Sequence, residues 1–399
     1  MYIKPASDSF HNFEQMKIVI VGTAYPMRGG IAQYNALLFK YFSAGNDVIM
    51  YSFKRQYPEF LFPGKTQYEQ GEPTIKIPDN KNIISVDSVN PFNWISTGIK
   101  ISGEKPDLII FKFWLPYFAP CFAAISFVAK LFSKPKVLFI CDNVIPHEKR
   151  TGDSFFTRLA FSQADYFVVM SKTVESDLKK FNREKPFKLI PHPVYNIFGE
   201  KTPKKEAKEF INKEYGIDLR NEKVILFFGY IRKYKGLKYL IDSMPEILKK
   251  VSLKLLVVGE FYEDETKYRE QISGLKLDDD IKIISDFVPD GKVKYFFSAC
   301  DTVVLPYSDA TQSGIIQIAY FYDKPVIATD VGGLSEAVTD NETGLLIKPE
   351  SPEEISEAVI KFYENNLEEK FSENASREKE KYSWEKFTET LESMVKENS

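Results

Sequence analysis

The chain has 399 residues, 44% of them hydrophobic, enough for two or three domains with buried cores. Lysine plus arginine (53) nearly balance aspartate plus glutamate (56), and the signs are mixed along the chain, which excludes the clustered basic face of a nucleic-acid binder. Three cysteines, Cys121, Cys141 and Cys300, form no CxxC pair; this argues against a disulfide framework or a zinc site and for a reducing, cytoplasmic setting.

The first fifteen residues, MYIKPASDSFHNFEQ, read as a loose extension without a signal-peptide pattern. From Met16 onward, short Val/Ile-rich runs at 17–21, 47–51, 108–111, 137–140 and 166–170 alternate with helical stretches such as 31–43 and 171–181. Runs so short and apolar predict strands buried on both faces of a parallel sheet. Residues 54–81 are polar, aromatic and Pro/Gly-bearing, and are expected as an irregular insertion on the cleft or surface. Residues 108–132 raise the question of a membrane span, but Lys112, Pro116 and Pro120 interrupt them. A strand, a Pro-containing loop and a helix over 118–132 is the expectation, with peripheral membrane contact through the aromatic patch as a further one. Around Pro191, His192 and Pro193 the pattern stops, and 195–203 reads as a linker in which His192 is structural. Helix 204–215 follows. Alternation then restarts with strands at 224–228, 254–258, 281–284, 302–305, 325–328 and 345–347. The fold class is therefore α/β, with two doubly wound Rossmann-like domains facing a central cleft. The expected divisions are an extension (1–15), an N-terminal Rossmann-like domain (16–195), a C-terminal Rossmann-like domain (196–381) and a terminal amphipathic helix (382–399).

Three segments suit phosphate. GTAYPMRGGIA, residues 22–32, places Gly29 and Gly30 where a strand gives way to a helix, so amides at the helix start can point at an anion. GYIRKYKG, residues 229–236, puts Arg232, Lys233 and Lys235 in a loop at a strand's carboxyl end. In residues 308–336, Thr311, Gln312, Ser313 and Gly314 precede a helix, with Asp309 before it and Gln317 in its first turn. Ordinary turn chemistry and N-capping by Ser313 are the plain alternatives.

These residues, above all KPVIATDVGGLSEAVTDNETGLLI (324–347) supported by FFGYIRKYKGL and LLVVGE, make the chain similar to the retaining glycosyltransferases of family 4, glycosyl transferases group 1, with the GT-B fold. The resemblance runs from Met16 to the end, and implies that 16–195 is the acceptor domain, that 196–381 is the nucleotide-sugar domain and that the helix 382–399 packs back on the first domain. It implies that Gly29 and Gly30 lie under a donor diphosphate, that Lys235 binds it, and that Ser313, Gly314 and Ile315 hold it by their amides. Phe287 and Val288 match the positions framing the base, and Glu260 falls near the nucleotide. Three departures mark a divergent member. Asp309 and Gln317 replace two glutamates, one at the donor sugar and one at the ribose. Tyr230 stands where an arginine is usual, with Arg232 as its substitute. Asp142 stands where a histidine is usual, with His147 five residues on; both are expected in the cleft, Asp142 at the donor sugar.

The implied reaction is hexosyl transfer from a nucleotide-sugar to a hydroxyl of a carbohydrate or lipid-linked acceptor, in polysaccharide or glycolipid assembly, in the cytoplasm with association at the inner face of the membrane as a further expectation. Asp142, His147, Arg232 and Lys235 are the expected catalytic groups. No cofactor or metal is expected, because Asp278, Asp279 and Asp280 read as a solvated turn. A non-catalytic nucleotide-sugar-binding subunit and a GT-B sugar epimerase are the alternatives.

Overall fold

The computed structural model describes residues 15–62, 64–69, 71–146 and 150–397. His147 and all but Gln15 of the expected extension lie outside these residues.

Seven strands, β1 (Lys17–Gly22), β2 (Asp47–Arg55), β3 (Asn82–Asp87), β4 (Leu108–Phe113), β5 (Lys136–Cys141), β6 (Tyr166–Val169) and β7 (Phe187–Leu189), form one sheet in the order β3-β2-β1-β4-β5-β6-β7. Six more, β8 (Val224–Phe228), β9 (Lys254–Val258), β10 (Ile281–Ile284), β11 (Thr302–Leu305), β12 (Val326–Thr329) and β13 (Gly344–Ile347), form a second in the order β10-β9-β8-β11-β12-β13. Every pairing is parallel. Helices α1 (Gly30–Phe42), α2 (Pro91–Gly103), α3 (Ala119–Phe132), α4 (Asp153–Ser162) and α5 (Lys172–Lys179) serve the first sheet. The second half adds α6 (Lys204–Tyr215), α7 (Leu237–Leu248), α8 (Thr266–Gly274), α9 (Asp290–Ala299), α10 (Gly314–Phe321), α11 (Leu334–Ala337), α12 (Pro352–Glu364), α13 (Leu367–Glu378) and α14 (Trp384–Glu397).

The apolar runs are explained by burial on both sides. Ile18 and Ile20 share a core with Leu37 and Leu38 of α1, while Val19 and Val21 share the opposite one with Phe122 and Ile125 of α3. Period-two alternation therefore disappears. The expected α/β architecture is present, with two strands added: β3 and β7 are edge strands, half-exposed and of mixed composition. Residues 108–132 become β4, a short turn and α3, and among the described residues no helix is long and apolar enough to cross a membrane. In each sheet the winding reverses beside the first strand, between β1 and β4 and between β8 and β11. The carboxyl ends of strands at such a switch point leave a crevice for ligand.

The connection between the halves is not a free tether. Tyr195, Ile197 and Phe198 are buried. The Val194 amide donates to the Tyr382 carbonyl at 2.9 Å, and Trp384 Nε1 donates to the Val194 carbonyl at 2.8 Å. The indole stacks on Tyr41 of α1 (5.7 Å between centroids) and meets the edge of Tyr34 (4.9 Å). Trp384→Ala removes this packing and leaves a cavity, so it is expected to lower unfolding stability by about 3–5 kcal/mol in denaturant titration.

Candidate active site

The loops after β1, β8 and β11 meet where the two switch points face each other. Gly29 precedes α1 with φ 99°, a conformation open to glycine; a Cβ there would lie 3.1 Å from the Tyr230 hydroxyl of the other half. Tyr195 sits between the starts of two helices. Its hydroxyl donates to the Gly30 carbonyl at 3.2 Å, and a Cβ on Gly314 would fall 2.9 Å from its ring. A Cβ on Gly229 would lie 3.2 Å from Lys235 Nζ and 3.3 Å from Ile315 Cδ1. Gly29, Gly30, Lys235, Gly314 and Ile315, distant in sequence, thus converge on one place.

The electrostatics there are positive. The first amides of α1 and α10 have no intrahelical acceptor, and each helix start carries part of a positive charge. Ser313 precedes α10, but its side chain makes no capping bond, which removes the plain N-capping alternative. Lys235 is buried; its Nζ lies 5.3 Å from the Tyr307 ring centre, and no carboxylate among the described residues pairs with it. Burial, and then the Arg232 cation, pull its pKa down to about 8. Arg232 stacks over Tyr262 at 5.0 Å.

The carboxylates of the cleft are engaged elsewhere. Glu260, just past β9, is buried against Arg28, and its Oε1 accepts from the Lys65 amide at 2.6 Å. The Arg28 guanidinium stands 4.5 Å over Phe287, with Val288 buried beside that ring in sequence. Residues 54–81 therefore lie on the cleft, Lys65 also pairing with Asp286 at 2.7 Å. Asp142 Oδ1 accepts from Lys112 Nζ and from Gln312 Nε2, both at 2.7 Å, so this expected donor-sugar contact anchors the β11–α10 loop. Beside it Thr311 bonds Asn143. Glu336 accepts from the Lys172 amide at 3.0 and 2.8 Å, at the start of α5. Asp309 is exposed in its loop. Gln317 is buried, and its Oε1 has no hydrogen-bond partner among the described residues. His192, expected to be structural, is buried with Nδ1 2.7 Å from the Pro193 carbonyl; burial lowers its pKa to about 4.

Two pairings were not visible in the sequence. Arg28 finds Glu260 across 232 positions, which no spacing rule reveals. Lys112 was visible as a lone cation in the apolar β4; the structure buries it with Nζ 3.2 Å from the Tyr34 ring centre and against Asp142. Among the described residues no group of three His, Cys, Asp or Glu side chains is placed to hold a metal ion.

Comparison with known proteins agrees with this geometry. Residues 207–378 match the family model described as glycosyl transferases group 1. An uncharacterized glycosyltransferase of Methanocaldococcus jannaschii is 27% identical over 245 residues, 59% of this chain and 59% of that protein; the match thus spans about three fifths of the relative's length. Among solved structures, sucrose-phosphate synthase from Thermosynechococcus elongatus superposes with TM-score 0.72 at 18% identity, covering 96% of this chain and 98% of that one. Anabaena HepE in complex with UDP gives 0.71 at 18%, covering 95% and 100%. The fold is GT-B.

The depressed pKa of Lys235 has a direct consequence. An anion such as a diphosphate would pair with the protonated amine, so its affinity is expected to fall as pH rises through the free-protein value of about 8, by up to tenfold per pH unit. Calorimetric titration with a nucleoside diphosphate checks this, and Lys235→Arg is expected to abolish the fall.

Proposed function

We propose that this protein transfers a hexosyl group from a nucleoside-diphosphate sugar to an acceptor hydroxyl with retention of configuration. The observation that carries the reading is the meeting of two helix N-termini with a buried lysine that no carboxylate among the described residues neutralises. When the bond from the anomeric carbon to the diphosphate breaks, negative charge grows on the departing oxygen. Fixed amides at Gly30 and Ser313–Ile315, with Lys235 and Arg232, are oriented to receive that charge without reorganising. Group 1 similarity over residues 207–378 supports the class, and the fold shared with a UDP-bound protein supports the kind of donor.

Within this reading the buried, unpartnered Oε1 of Gln317 accepts from a ribose hydroxyl. Phe287 and Val288 frame the base. Arg28 and Glu260 border it. Asp309 reaches the sugar from its loop. Asp142 acts by holding Gln312, a positioning role. A cavity of about 410 Å³ beside Gly29, lined by Gln33, Glu72, Thr74, Asn82 and Asp290 among others, offers hydrogen-bonding groups suited to a carbohydrate or to the sugar of a lipid-linked acceptor. Polysaccharide or glycolipid assembly at the cytoplasmic side is the setting that such an acceptor implies. Charge neutralisation by amides and cations makes transfer independent of a metal.

A screen of UDP-, GDP- and ADP-sugars, followed by product analysis, tests the proposal. Lys235→Ala is expected to lower kcat/KM by about 10²–10³, and Gln317→Ala to weaken donor binding by roughly tenfold. Chelator treatment is expected to leave turnover unchanged. Full activity of Lys235→Ala refutes the mechanism. Release of free sugar or epimer with no transfer to any acceptor favours an epimerase, and binding without turnover a non-catalytic subunit.

A further inference from the structure

The face of the first domain turned away from α1 is unusually apolar. Helices α2, α3 and α4 lie side by side there; a Cβ on Gly98 of α2 would fall 2.7 Å from Val128 Cβ of α3, and α3 also packs on α4. Their inner stripes, with Ile101, Ile125 and Phe161, share one core, so their outer stripes point the same way. Those outer stripes are not polar. On α2, Phe92 (84% exposed), Ile95 and Ile99 (50%) recur at helical spacing. On α3, Phe127 (53%) and Leu131 (59%) are four residues apart, as are Phe155 (66%) and Leu159 on α4. A soluble surface normally places charged side chains on the solvent side of such helices.

The charge that is present is mostly positive; Glu104, which follows α2 directly, is paired with Lys17 at 2.9 Å. The three helices, of 13, 14 and 10 residues, contain a single acid, Asp153, whose carboxylate is bound by the Arg150 amide at 2.7 Å. Lys100, Lys130 and Arg158 lie on the same helices, and Lys134 follows α3 directly. Lys130 is paired with Asp165, but Lys100 and Lys134 are exposed and have no ion pair among the described residues. The chain as a whole carries −3, so this cationic, acid-poor face is a local departure.

We propose that the α2–α3–α4 face is a docking surface for an anionic lipid bilayer. The apolar stripes enter the headgroup boundary and Lys100 and Lys134 meet lipid phosphates, as an interfacial apolar face with flanking cations does. This relocates the membrane contact expected from sequence. Trp114, Leu115 and Tyr117 are only half-exposed and pack against the core, whereas the exposed rings lie further along α3 and on its neighbours. The surface does not depend on the transfer reading, but it would bring a lipid-linked acceptor to the same domain.

Co-sedimentation of the full-length protein with vesicles tests it, using phosphatidylcholine alone and phosphatidylcholine with roughly a third phosphatidylglycerol. Binding is expected to the anionic vesicles and to be much weaker to the neutral ones. The triple variant F127S/L131S/F155S is expected to lose more than about tenfold in partitioning while keeping its thermal midpoint and its affinity for nucleoside diphosphate, because these side chains already face solvent. K100E/K134E is expected to lose the preference for anionic lipid. Phe60→Ser, an 85% exposed ring on the cleft segment, is the control and is expected to bind as the parent. Absence of binding to anionic vesicles at low salt overturns the proposal, as does a triple variant that binds unchanged. A concentration-dependent dimer that the triple variant abolishes, seen by light scattering without lipid, also overturns it in favour of a second copy of the chain. Nucleotide affinity measured without vesicles separates this outcome from failure of the transfer proposal.

Discussion

Two helix N-termini aimed at one point repel each other, and a buried lysine between them adds to the strain, unless something negative stands there. The nearby carboxylates do not fill that place. Glu260 is held by Arg28, Asp142 by Lys112, and Glu336 by the start of α5. Asp290 is occupied by Gln33 and Thr74. Each acid has its own donor, and most of these donors come from the opposite half of the chain. These four acids thus serve chiefly as ties between the domains, and Lys235 has no carboxylate partner among the described residues.

The second domain's side of the cleft requires missing side chains. Backbone approaches backbone where Gly236 meets Pro306, Gly259 meets Gly229, and Gly332 and Gly333 meet Ala310 and Thr311; added Cβ atoms would lie 1.8, 2.0, 1.7 and 2.1 Å from the facing carbonyl oxygens. The β12–α11 turn is thus the floor on which the β11–α10 loop rests. Its glycines work on the site through packing, and need not touch a ligand to be indispensable to it.

Much of this was legible in the sequence because parallel strands buried on both faces leave an unmistakable apolar signature, as in LIIFKF of β4. The edge strands of the first sheet do not: β7 is half-exposed along its whole length and carries no such run. Helix α2 escaped because its solvent side is as apolar as its core side, which erases the expected period. Local glycines and cations marked loops that the fold brings together at the cleft. Their partners were hidden, since pairs such as Arg28 with Glu260 and Gln312 with Asp142 are created only when the two sheets face each other. Asp142 was noticed for the residue it replaces, but its surroundings, set by a lysine on the neighbouring strand, determine what it holds.

The polypeptide passes between the halves twice, once near Val194 and once near Tyr382, and hydrogen bonds join these passages to each other. A single passage would let one half swivel in any direction. Two that are fastened together would not. Relative rotation of the halves is restrained at this end by that fastening, and across the cleft by the contacts of Lys65 with Glu260 and Asp286. Cutting the chain after residue 378 would therefore leave both sheets intact while removing the fastening that registers one against the other.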